Sequence, residues 1–97
     1  MVPVALNIGF YNYVISDKIL AIISSDSAPM RRIIQEFRKG GRLIDATQGR
    51  KTKSVIFIEG GQVATSALTQ DILMRRMNGE ESNAGLSDHE VTEEGEA

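Results

Sequence analysis

Thirty-six of the forty apolar residues in this sequence precede Glu80. Backbone order has to be offset by apolar burial, so whatever folds is built from residues 1–79. A chain of 97 residues suits one core, and two domains are excluded. Charge divides at the same place. All eleven basic residues lie within 1–79 against six acids, a net +5, while residues 80–97 carry seven acids and no base. That terminal segment is polar, self-repelling and interrupted by glycine, and is expected to be a disordered acidic tail on a basic folded domain of residues 1–79. Two roles stay open for it: a solubilising end, or a tethered competitor for an anionic ligand of the body.

Val4–Phe10 and Tyr13–Ile23 are dense in β-branched and aromatic residues, with interruptions at Gly9, Asn12 and Ser16-Asp17, and read as two or three short strands. Ile19–Ile23 reads as a buried one. From Ser27 the pattern changes period. Ser27 can cap a helix, Pro29 suits its first turn, and Gly40-Gly41 stop it. Met30, Ile33, Ile34 and Phe37 recur at helical spacing and predict a core-facing stripe. Residues 43–47 (LIDAT) then read as a short strand, 48–53 as a polar basic connection and 54–59 as a strand. Gly60-Gly61 supply a hairpin turn and 62–68 the return strand. Thr69 can cap a short final helix over 70–77 that ends at Asn78-Gly79. The predicted class is α+β: a small, mostly antiparallel sheet with one main helix and a short C-terminal helix.

Catalytic chemistry finds no support. There is no cysteine, which excludes disulfides, thiolate metal sites and a cysteine nucleophile. His89, the single histidine, sits in the tail, where nothing would hold its geometry. The six body acids are scattered, so no metal site is expected. Gly49-Arg50-Lys51-Thr52 fails as a phosphate loop because arginine intervenes before the lysine, and no G-x-G-x-x-G occurs. No catalytic residue, cofactor or small-molecule substrate is expected. Residues 1–16 lack a signal-peptide pattern and no apolar run reaches the roughly 18 residues of a membrane span, so a cytoplasmic protein without membrane contact is expected.

Binding chemistry is better supported. Arg50, Lys51 and Lys53 fall in one connection between strands, a fair footprint for phosphates, although short basic runs are often simply solvated. Arg31 and Arg32 stand within a turn of a helix N-terminus, where N–H groups and the helix dipole favour anions; a charged outer face is the alternative. Phe10, Tyr11 and Tyr13 can stack on bases, fill the core or meet another subunit.

Four segments together, NIGF (7–10), SAP (27–29), LIDATQGR (43–50) and SAL (66–68), make the stretch from Leu6 to Leu68 resemble the RemA family of bacterial extracellular-matrix regulatory proteins. The resemblance implies a non-enzymatic regulator of transcription that binds double-stranded DNA. It also implies a LytTR-like fold and a homo-oligomeric ring with a basic surface. On this resemblance the DNA contacts fall on Lys18, Arg50 and Lys51, with Lys53 continuing the same loop. The family commonly has arginine where this chain has Lys18 and Lys51, and lysine lacks the planar fork of arginine. Few base-reading side chains accompany the cluster, so recognition is expected to rest on backbone and DNA shape in a nucleoid-associated protein. An RNA-binding module and a protein–protein scaffold are the alternatives.

Overall fold

The computed structural model describes residues 4–80. The expected tail, with His89, lies from residue 81 onward outside the described residues. The chain runs β1 (Ala5–Asn7), β2 (Tyr13–Ile15), a 3-10 turn (Ser16–Lys18), β3 (Ile19–Ser24), α1 (Ala28–Lys39), β4 (Leu43–Asp45), β5 (Ser54–Ile58), β6 (Gln62–Ser66) and α2 (Gln70–Met77). This is the expected α+β class.

Four strands form the central sheet in the order β3-β5-β6-β4. β3 pairs antiparallel with β5 and β5 with β6, whereas β4 lies parallel to β6. Strand alternation divides the core in two. Val55 and Val63 face α1 and pack with Met30 and Ile34, joined by the predicted stripe partners Ile33 and Phe37. Phe37 meets Phe57 edge to face at 6.3 Å. Ile56 and Ala64 face the opposite side, onto Leu6 and Ile8 of the β1–β2 hairpin, Leu68 just before α2 and Leu73 of α2. The hairpin is a separate two-stranded sheet rather than an extension of the main one.

Both helices begin as their sequences predict. The Ser27 hydroxyl accepts from the Met30 N–H at 3.1 Å, and the Thr69 hydroxyl from the Ile72 N–H at 3.3 Å. The Glu59–Gly61 loop turns β5 into β6, with φ of +103° at Gly60 and +86° at Gly61, conformations open to glycine because it has no Cβ.

One expectation needs correction. Ile19–Ile23 is not a buried strand. β3 is an edge of the sheet, with Leu20 70% exposed and Ile23 also exposed, so its apolar run faces solvent on one side. The first strand ends at Asn7, just before the expected interruption at Gly9, and Phe10 falls in the turn. Gly9, Phe10 and Tyr11 all have positive φ, and Asn7 and Asn12 hold the turn: the Asn7 Oδ1 accepts from the Gly9 N–H and the Asn12 Nδ2 donates to the Gly9 carbonyl, both at 2.9 Å. Phe10 packs on the core, whereas Tyr11 and Tyr13 are exposed.

Candidate nucleic-acid interface

The basic connection starts where β4 ends. Asp45 is the hub: its Oδ1 accepts from the Thr47 N–H at 2.9 Å, the Thr47 hydroxyl at 2.6 Å and the Thr65 hydroxyl at 3.1 Å. The Thr47 hydroxyl, most of all, holds the Asp45 carboxyl below its ordinary value. Burial opposes this, while the Thr47 N–H, the Thr65 hydroxyl and the charge of Arg38 act in the same direction as the Thr47 hydroxyl. Ala46 between them is buried in the core. The chain then reverses through Gln48 (φ +53°) and Gly49 (φ +80°), and the Arg50 N–H donates to the Thr47 carbonyl at 2.9 Å.

The far end of the connection is clamped as firmly. The Lys53 N–H donates to the Ser66 carbonyl at 2.8 Å, the Ser25 N–H to the Lys53 carbonyl at 3.1 Å and the Ser25 hydroxyl to the Thr52 carbonyl at 2.7 Å. Between these two anchors Arg50 and Lys51 are exposed and Lys53 is half-buried. The local sequence explains the presentation. An acid, a core alanine, a hydroxyl donor and a glycine that takes positive φ are what this turn requires, and LIDATQG supplies them in order.

α1 begins beside this loop. Arg31, Lys51 and Lys53 line one cleft together with Arg38; Arg32 is exposed and is not among its lining residues. The structure therefore brings Arg31, Lys51 and Lys53 to one cleft at the end of the sheet where β4 finishes and β5 starts, with Arg50 in the adjoining turn and Arg32 in the first turns of α1 outside the cleft. Lys18 is elsewhere. It precedes Ile19, which pairs with Ile58 at the other end of β5, and its ammonium lies 3.3 Å from the Glu59 carboxylate. At about 3.4 Å per strand residue, it stands roughly 17–20 Å from Lys53 along the strand direction.

Two side chains were not singled out from the sequence. Arg38 follows Arg31 by two helical turns, so their common face was legible, but the loop opposite it was not. Arg76 is buried and donates to the Asn7 carbonyl at 3.0 Å, beneath the strained turn; in sequence it reads as a charge closing a helix. Among the described residues no group of three His, Asp or Glu side chains could hold a metal ion, and no helix is long and apolar enough to cross a membrane.

The family profile described as RemA-like, extracellular matrix regulatory protein A-like, matches residues 5–77. A protein of Halothermothrix orenii is 45% identical over 78 residues, 80% of this chain and 93% of its own. One of Maridesulfovibrio salexigens is 45% identical over 76 residues, 78% and 88% of the two chains. One of Synechococcus elongatus is 44% identical over 77 residues, 79% and 88%. Each carries "Putative regulatory protein" in its name. The family match ends before the acidic segment.

Proposed function

The chain belongs to the RemA-like family of extracellular matrix regulatory proteins, and on that premise we propose that it is a DNA-binding regulator that grips the phosphate backbone of duplex DNA through the Arg50–Lys53 loop. The observation that carries this reading is the loop itself: Arg50 and Lys51 are held out to solvent between two hydrogen-bonded anchors, with Arg31 and Arg32 at the same end of the fold. A clamped loop loses little conformational entropy when it meets a ligand. Lysine and arginine accompanied by few base-reading side chains favour contact with phosphates over base edges.

One subunit presents few cations, so self-association into a ring would collect them into one surface of high avidity. The exposed Tyr13, Ile15 and Leu20 and the open edge of β3 support subunit contacts. Lys18, remote from the loop within a subunit, would then join the DNA surface through assembly. The family's description supports control of extracellular-matrix or related genes as the role of such a regulator.

The test is fluorescence anisotropy with duplexes of unrelated sequence across a salt series. Each neutralised phosphate contributes a log–log slope of about −0.9, or roughly 3.5-fold in affinity between about 50 and 200 mM salt, and three contacts give about 40-fold. Arg50→Ala should flatten the slope on every duplex alike; an unchanged slope would remove the loop from the interface. The exposed Tyr11 and Tyr13 favour single-strand stacking as a second reading. Tighter binding of single-stranded RNA than of duplex DNA, weakened by Tyr11→Ala, would select it.

A further inference from the structure

We propose that the cleft between α1, the basic connection and the start of α2 is a binding site for a small polyphosphate ligand, which shares Lys51 and Lys53 with the surface that meets duplex DNA and adds Arg38 to them. The cleft encloses about 880 Å³, within the roughly 300–1,000 Å³ of small-molecule sites. Four cations line it: Arg31 and Arg38 from one face of α1, Lys51 and Lys53 from the connection opposite. Two acids, Asp26 and Asp71, line it as well, and the Asp71 carboxylate is engaged by Arg75 at 2.9 Å. Among the described residues no carboxylate comes within ion-pair distance of Arg31, Arg38 or Lys51. Like charges gathered in a concave wall raise the local anion concentration.

The rest of the lining selects the chemistry. Ile34 is its one apolar side chain, and no aromatic ring is present for a base to stack on; hydroxyls and the Gln35 and Gln70 amides complete it. Such a wall holds phosphates and hydroxyls, so the ligand is recognised through a phosphate chain rather than a nucleobase. Arg50, the residue on which the DNA reading chiefly rests, is not among the lining residues, whereas Lys51 and Lys53 belong to both surfaces. Occupancy of the cleft would therefore draw Lys51 and Lys53 away from DNA and lower duplex affinity, a consequence that rests on the function proposed above.

Isothermal titration of the full chain with inorganic tripolyphosphate, ATP and adenosine at constant ionic strength tests the site. Saturable binding of tripolyphosphate and ATP, and none of adenosine, is expected. Arg38→Ala should weaken tripolyphosphate binding by about tenfold or more, as expected for loss of a charged hydrogen-bond donor, and leave duplex affinity in place. Arg50→Ala should do the reverse. Arg38 is exposed, and matching circular dichroism and melting of Arg38→Ala and a second variant, Arg38→Gln, would secure the comparison. No saturable binding of tripolyphosphate, or equal losses in the Arg38 and Arg50 variants, would overturn the proposal. If the protein bound no duplex, only the competition between ligands would be lost, and the titration would still read the cleft.

Discussion

Replacing Asp45 tests whether the basic loop acts through its charge or through its fixed shape. Its Oδ1 takes three hydrogen bonds, two of them from the side chain and N–H of Thr47 and one from Thr65, and both threonines are buried. Asp45→Ala leaves those donors without their acceptor. Asp45 itself is exposed and solvent can reach part of the gap, so the loss is about 2 kcal/mol rather than the sum of three charged bonds. For a domain of this size that is a fall of about 8–16 °C in Tm. Asp45→Asn keeps an acceptor oxygen and loses only the charge, so about half that effect is expected. The pH dependence has a definite sign. The folded state holds this carboxyl below its ordinary value of 3.8. The contribution is therefore complete above about pH 4 and is lost as pH falls through the lowered folded value. The stability gap between wild type and Asp45→Asn should be widest above pH 4 and close below it. Thermal melts followed by circular dichroism from pH 3 to 7 measure this. DNA binding sharpens the test. On charge alone, deleting an anion beside the loop should tighten duplex binding; on positioning, Asp45→Ala should weaken it at a temperature where the protein remains folded. Tighter binding, or an unchanged Tm, would refute the role of Asp45 as the anchor of the loop.

Lys18→Ala removes an ion pair whose partners are 58% and 61% exposed, so melting should change by no more than about 0.5 kcal/mol; a larger loss would place Lys18 in a structural network. Arg76→Met should cost about 2–4 kcal/mol in urea unfolding, because it removes a buried charged donor to the Asn7 carbonyl under the strained turn; a stability matching wild type would show that the turn holds without it. Truncation after Gly79 takes the net charge from −2 to +5. If residues 80–97 compete for the basic surface, the truncated protein should bind duplex DNA more tightly at low salt, with the gain shrinking as salt rises. Equal affinities at every salt concentration, at equal assembly mass, would leave the acidic segment a solubilising end.

The sequence by itself determined the local features. Ser27 and Thr69 cap their helices, the Met30–Ile33–Ile34–Phe37 stripe packs on the sheet, and Gly60-Gly61 turn β5 into β6, because capping, helical periodicity and positive φ depend on residues a few positions apart. The resemblance carried by LIDATQGR was legible for a related reason: the turn that displays Arg50 and Lys51 is built largely from that segment. Strand order was not legible. Nothing in Ile19–Ile23 distinguishes a central strand from an edge, since both are apolar and β-branched; only the choice of β5 as its one partner left Leu20 in solvent. The same holds for the basic residues. Lys18 and Lys53 carry the same charge, yet antiparallel pairing of β3 with β5 sends them to opposite ends of the sheet. Arg31 and Arg38 meet Lys51 and Lys53 only because α1 packs on Val55 and Val63. Which charges share a surface is set by contacts between segments far apart in the chain, and those contacts are decided when the two faces of the sheet bury their apolar side chains.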